Sequence, residues 1–275
     1  MGSRHALPTC LMLAAKSGSM NLSAMKDHET ATPGMETRLR LDVAATTLML
    51  NKLGILEYSG HISARLPNEE AFLIQPGAKS RAEVQPEDLL VCDYTGAIIR
   101  GGPGKPPSEV YLHSEIYRAR PDVTSVAHFH NDTATAFTFV HDVTLVPFKI
   151  HAVRWASGIP THPDPGHIDN RELGRAIVRT LGPHHALQIR AHGQIITAES
   201  PRGVFVDSVH FVENAEAAYR AAALGKLNPL TPEEIESISM GTRRGAHISK
   251  LWTYYVRDAI AKGVIPGHWP VLGED

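Results

Sequence analysis

The sequence predicts an α/β fold built on a mixed, largely antiparallel sheet with helices on its faces. Three observations lead there. Short aliphatic or β-branched runs occur in pairs joined by tight turns, which is the pattern of hairpins. Segments of helical period lie among them without the regular strand–helix–strand rhythm that a parallel sheet requires. The 275 residues suit one hydrophobic core with extensions better than two full domains.

The elements follow in order. Residues 1–35 carry no sustained period and include Ser17-Gly18-Ser19 and Thr32-Pro33-Gly34, so they read as a flexible N-terminal extension. The apolar stretch at 7–15 is not read as a signal segment, because Pro8 interrupts it and no small-x-small cleavage site follows. Residues 36–275 are taken as a single domain ending in a helical extension. From 36 to 53, Leu39, Leu41, Val43, Ala44, Leu48 and Leu50 recur at helical spacing, and Gly54 supplies a stop. The runs 58–65, 71–75, 89–93 and 97–100 predict a strand meander whose last two members are joined by Asp93-Tyr94-Thr95-Gly96. A helix over 108–120 is closed by Pro121-Asp122. The strand over 123–128 then places His128 and His130 near its end, and 134–140 continues as helix or turn.

Further strands are expected at 143–146 and 149–153, then a Gly/Pro/His-rich loop at 158–166 and a helix over 170–181. Strands at 186–189 and 194–197 bracket the tight turn Arg190-Ala191-His192-Gly193. A long alanine-rich helix fills 201–224, Thr231 caps a helix start at 230–234, and a last helix runs through Trp252 to Ala261.

Charge excludes several function classes. Lys plus Arg number 27 against 29 Asp plus Glu, a net charge of -2, with a pI near 6.8. That is no footprint for a nucleic-acid binder or a polybasic membrane adaptor, and no apolar run approaches the roughly 18 residues of a membrane span. Cys10 and Cys92 are the only cysteines, too few for a disulfide framework, and a cytoplasmic protein is expected. The unusual count is 16 histidines, histidine being the commonest metal ligand.

In His128-Phe129-His130 the period of two in a strand puts both imidazoles on one face, within reach of one ion. A catalytic site needs a third ligand and an open position, and His192, isolated in its turn, is the candidate. Glu109 begins the helix that leads into the histidine strand; it is either a ligand or proton shuttle or an ordinary first-turn glutamate favoured by the helix dipole. His113, Glu115 and His210 sit at helical positions and are set aside as surface or core residues.

Ordered motifs then carry a resemblance. Ser59-Gly60-His61-Ile62-Ser63, Pro86-Glu87-Asp88-Leu89-Leu90 with Asp93 and Gly96, Ser108-Glu109 with His113, Ile116-Tyr117 with Arg120-Pro121-Asp122-Val123, His128 with His130, and His192-Gly193 occur in this order. Between about residues 36 and 225 the chain resembles the class II aldolase/adducin family. The resemblance implies a three-layer α/β/α sandwich and a homo-oligomer, a tetramer or related ring, with sites at subunit interfaces. It also implies one divalent metal ion per subunit (Zn, Mn or Co) on His128, His130 and His192, with Glu109 as the metal-contacting acid/base.

Departures bear on the substrate. Sugar-phosphate aldolases of the family hold phosphate with a Gly-Asn pair, a Thr- or Ser-Gly turn and a Ser-Ser pair; here the places read Gly60-His61, Pro76-Gly77 and Pro107-Ser108. Proline has no N–H to offer an anion. Instead Ser80-Arg81 follows Lys79, and a guanidinium suits a carboxylate, although a lone surface arginine is the competing reading. Together with His61 these features resemble the decarboxylase branch, which acts on hydroxylated aromatic or pyridine dicarboxylates. Substrate binding is therefore expected at Arg81, Ser80, His61 and Tyr255, the last because a C-terminal tyrosine of this family, here Tyr254 or Tyr255, caps a neighbouring subunit's site; core packing is the competing reading for the tyrosine and a structural hydrogen-bonded role for His61. The alternative is an aldolase or epimerase for a sugar or sugar phosphate, since both reactions break a carbon–carbon bond and leave an electron pair for a metal-bound oxygen to stabilise. A non-catalytic, adducin-like module has no need of four metal-site residues. The partners expected are a small carboxylated substrate and further copies of the chain, with neither nucleic acid nor membrane.

Overall fold

The computed structural model describes residues 33–238 and 243–271. The expected extension therefore lies outside the described residues up to position 32, as does Cys10. Helix α1 (Pro33–Lys52) begins three residues ahead of the apolar period, with a proline in its first turn, where no amide hydrogen is needed. Then come β1 (His61–Arg65), β2 (Ala71–Ile74), β3 (Leu90–Asp93), β4 (Ile98–Gly101), α2 (Val110–Ala119), β5 (Ser125–Phe129) and α3 (Asp132–Ala136). The second half holds β6 (Thr161–His162), α4 (Arg171–Leu181), β7 (Ala186–Ile189), β8 (Gly193–Ala198), α5 (Pro201–Ala222), α6 (Pro232–Ile238) and α7 (Arg244–Ala261).

One sheet runs in the order β4-β3-β2-β1-β5-β8-β7-β6. Every pairing is antiparallel except β6 with β7. Alternation along the strands divides the core. Ile62, Ala127, Phe129 and Ile196 face α1, α3, α5 and α7, with Phe205, Phe211 and Trp252. Val126, Ile74, Leu187 and Ile195 face α2 and α4, with Leu112, Ile116 and Ile177. The result is the three-layer α/β/α sandwich. Fully buried side chains such as Phe205 and Phe211 each contribute roughly 1.5–3 kcal/mol of transfer free energy.

Two expectations are corrected. No strand forms at 143–146, and the 149–153 run lies in a 3-10 helix, Ile150–Trp155. Its buried Ala152 and Trp155 stand three apart while Ile150 is exposed, a period that a strand cannot satisfy. Within the stretch expected to be loop, Thr161 and His162 pair with Gln188 and Ile189 as the edge strand β6, too short to leave a pattern in sequence. Among the described residues no helix is long and apolar enough to cross a membrane.

Candidate metal centre

Strand register and two close approaches assemble the site. His61 on β1 lies opposite His128 on β5, and both share the sheet face of Val126, toward α2. His130 follows where β5 ends. The turn from β7 to β8, with Ala191 in the left-handed region at φ 55°, brings His192 alongside. Gly193 has to be glycine, since a Cβ there would lie 2.4 Å from the Phe129 carbonyl oxygen and 2.9 Å from the His130 ring. Gly60, at φ 87°, leads the chain into β1, and a Cβ there would meet the His128 carbonyl at 2.6 Å. Glu109 occupies the residue before α2 without a side-chain capping bond. It turns instead toward the imidazoles, which decides against the ordinary helix-start reading.

Around that carboxylate the distances are short. Oε2 lies 3.2 Å from His128 Nε2 and 3.7 Å from His61 Nε2. Oε1 lies 3.5 Å from His192 Nε2 and 3.7 Å from His167 Nδ1, and accepts from the Ile168 amide at 3.2 Å. Glu109, His128, His130 and His192 offer ligand atoms all within 4.8 Å of one another. His130 and His192 line a cleft of about 350 Å³ with Tyr58, Ser59, Pro165 and His167, so the cluster is open on one side.

The protonation pattern suits a cation. His128 Nδ1 faces the Gln194 carbonyl at 3.0 Å. A carbonyl only accepts, so Nδ1 carries a hydrogen and the ring turns Nε2 toward the cluster. That nitrogen is buried with no hydrogen-bond partner and looks onto the Glu109 carboxylate. Burial would raise the Glu109 carboxyl, but the imidazoles of His128 and His61 hold it well below the usual carboxylate range. Burial lowers His61 to about 4 and, with the neighbouring His128 and His192, lowers His130 to about 3; burial also lowers His192. Imidazoles of lowered basicity at His61, His130 and His192 around one carboxylate fit a divalent ion, which would satisfy both the orphaned His128 nitrogen and the negative charge.

Behind the cluster runs a hydrogen-bonded chain that orients it. Tyr117 OH meets Ser63 Oγ at 2.6 Å, Ser63 Oγ meets His113 Nδ1 at 2.6 Å, and His113 Nε2 meets His61 Nδ1 at 2.7 Å. His61 Nε2 faces the accepting Glu109 carboxylate at 3.7 Å, so its Nδ1 accepts and the contacts run Tyr117 to Ser63, Ser63 to His113, His113 to His61. His61 is then left with Nε2–H toward Glu109. His113, set aside from sequence, is thus part of the site; its position four residues past Glu109, one helical turn on, was the available signal. His167 comes from a loop with no periodicity to read.

These rings predict a pH dependence of stability in the metal-free protein. Burial holds His113 well below 6.5 and His61 at about 4, so below pH 6.5 the unfolded chain binds protons that the folded one does not. Stability must then fall as pH drops from 6.5 toward 4, by up to about 1.4 kcal/mol per pH unit for each ring. Urea denaturation at pH 7.5, 6 and 5 checks this, and an unchanged midpoint contradicts the neutral assignment.

Comparisons with known proteins show the family. Residues 41–219, more than half of the chain, match the model of the Class II Aldolase and Adducin N-terminal domain. The chain belongs to the class II aldolase family. A 3,4-dihydroxyphthalate decarboxylase of Terrabacter sp. strain DBF63 is 28% identical over 190 residues, 64% of this chain and 78% of that protein. A 5-methylthioribulose-1-phosphate/5-deoxyribulose-1-phosphate aldolase of Rhodospirillum rubrum is 28% identical over 215 residues, 75% of this chain and 91% of that protein. An aldolase II superfamily protein from Pseudomonas syringae has the same fold, with a TM-score of 0.72 at 22% identity over 83% of this chain and 94% of that one.

The remaining expected contacts of this class II aldolase-family chain are placed differently from one another. Arg81 is not a solvated surface charge: it is 3% exposed. Its Nε donates to Gly60 O at 2.8 Å, and its Nη1 to the carbonyls of Pro76, Gly77 and Lys79. A paired grip on a substrate carboxylate therefore requires release of one of these carbonyls. Lys79 is engaged by Asp88 at 2.9 Å, and Ser80 is exposed at the turn closed by Glu83 N to Ser80 O. Tyr255 packs edge-on against Phe205 of α5, in the layer away from Glu109.

Proposed function

We propose that this class II aldolase-family protein is a metal-dependent carbon–carbon lyase that decarboxylates a hydroxylated aromatic dicarboxylate of phthalate or pyridine type. The observation that carries the choice is the closed loop beside His61. Gly77 N–H is taken by the Lys105 carbonyl at 2.9 Å, its neighbours Pro76 and Pro107 have no N–H, and His61 is turned onto Glu109. The backbone donors that an incoming phosphate needs are missing there. The 28% identity to a 3,4-dihydroxyphthalate decarboxylase supports the same reading.

His128, His130 and His192 would hold one divalent ion per subunit (Zn, Mn or Co), with Glu109 beside it. Such an ion, when bound, supplies Lewis-acid stabilisation of negative charge on a substrate oxygen. The chain's own groups do the rest. The cleft between Tyr58 and His167 admits the ring. The bond between ring carbon and carboxyl carbon breaks, its electron pair stays on the ring, and carbon dioxide leaves. Ionised Glu109 orients a water through which a solvent proton reaches the vacated carbon, and His61 Nε2–H keeps Oε2 aligned. Arg81 fixes the loop floor from Gly60 to Lys79 and retains Nη2 for the second carboxylate. The protein would act as a homo-oligomer, with Tyr255 serving a neighbouring copy's pocket; the exposed Phe139, Val140 and Tyr219 offer an apolar face for that contact.

A second reading, an aldolase or epimerase for a sugar or sugar phosphate, is favoured by the Rhodospirillum rubrum aldolase, of which this chain covers 91%. Thermal unfolding with Mn, Co or Zn separates the two. Phthalate or pyridine dicarboxylates at a hundredfold excess over Kd should raise Tm by about 5–10 °C, with little effect from phosphoglycolate. A larger shift with phosphoglycolate favours the aldolase.

A further inference from the structure

We infer that His151, His210 and His247 form a second metal site, one that takes a first-row divalent ion such as zinc or cobalt and is separate from the Glu109 centre. The three rings come from three elements: the 3-10 helix at Ile150–Trp155, the middle of α5 and the first turn of α7. All belong to the layer on the α5 face of the sheet, whereas Glu109 and His128 lie on the α2 face. One ligand atom from each lies within 4.8 Å of the other two. His210 Nε2 and His247 Nε2 are only 2.9 Å apart. The ring centroids of His151 lie 4.3 Å from His210 and 4.6 Å from His247.

Packing alone leaves this cluster unsatisfied. His210 is 7% exposed, and the Nδ1 of His151 is buried without a hydrogen-bond partner, an arrangement that costs free energy unless something is bound. Beside His210, Glu213 Oε2 stands 3.5 Å from Nδ1 and is anchored by Lys149 Nζ at 2.7 Å. A carboxylate behind a ring nitrogen is the usual support of a ligating imidazole. The rings border a cavity of about 570 Å³, leaving room for a water or other small ligand as fourth ligand. Arg154 and Arg244 also border it but are spent on carboxylates: Arg244 on Asp207 at 2.7 Å and Glu199 at 2.7 Å, Arg154 on Asp207 at 3.3 Å. Their charge is therefore offset, and the cavity is built for a cation held by nitrogen more than for an anion. Burial and the neighbouring rings lower His151 to about 4, so it offers a lone pair at neutral pH.

Such an ion would clamp the start of α7 to α5 and to the 3-10 helix, a role independent of turnover. The test uses the full chain with the first centre disabled by His130→Ala and His192→Ala, loaded with Zn or Co(II) and freed of excess by gel filtration. Metal content should be two equivalents per chain in the parent, one in this double variant, and none when His247→Gln is added. Cobalt in the double variant should show visible ligand-field bands that His247→Gln removes. His151→Gln, made in parallel, should give the same loss, and circular dichroism confirms that each variant is folded. A parent that holds a single equivalent, a double variant that holds none, or unchanged metal content on adding His247→Gln to that variant overturns the proposal.

Discussion

His192→Ala should empty the Glu109 centre and lower kcat/KM on the order of a thousandfold or more, while the protein stays folded. The ring contributes the remote ligand that the two β5-side histidines cannot replace, and with two imidazoles left the site loses both affinity and the fixed position of its charge. The turn survives because its backbone is held independently: His192 N donates to Ile189 O at 3.1 Å and Ala191 N to Thr138 Oγ1 at 3.0 Å. His128→Ala should have the same effect on metal and turnover. It carries a stability cost in addition, since this ring is fully buried and bonded to the Gln194 carbonyl. Metal analysis alongside steady-state kinetics reads both variants. Normal turnover in a metal-free variant would falsify the assignment of the three histidines.

Glu109→Gln separates holding the metal from moving the proton. The substitution keeps the shape, and its amide oxygen can still accept from Ile168 N, which reaches Oε1 at 3.2 Å in the native site. What disappears is the negative charge held between His128, His61 and His192. Bound metal should persist on the three imidazoles. Turnover should fall by about 10²–10⁴, the usual worth of a positioned acid or base. Full retained activity removes Glu109 from the proton step, and loss of the metal makes it chiefly a ligand.

Much of this centre was legible before any coordinates. His128 and His130 follow from the period of two in a strand, and His192 from its isolation in a turn between two strands. The sheet is carried by short hairpin-forming runs, and Gly60 and Gly193 explain in steric terms why Ser-Gly-His and His-Gly belong to the pattern. Three kinds of information were absent. The hydrogen-bonded chain from Tyr117 through Ser63 and His113 to His61 depends on which faces of α2 and β1 meet, and no single segment records that. Arg81 carries no mark in sequence of whether its guanidinium turns inward to carbonyls or outward to a ligand. Edge strand β6 is two residues long, below the length at which alternation can be seen, and His151 belongs to a segment whose β-branched composition misled while its three-residue burial spacing did not.

As proposed above, the Glu109 centre would break a bond to a carboxyl carbon. Carbon dioxide release from a small panel of hydroxylated phthalates and pyridine dicarboxylates, by protein reconstituted with Mn, Co or Zn, tests it most directly. Metal-dependent release from at least one of them, absent in His192→Ala, is the expected result. Cleavage of a sugar phosphate to an aldehyde, with no carbon dioxide from any member of the panel, would contradict it.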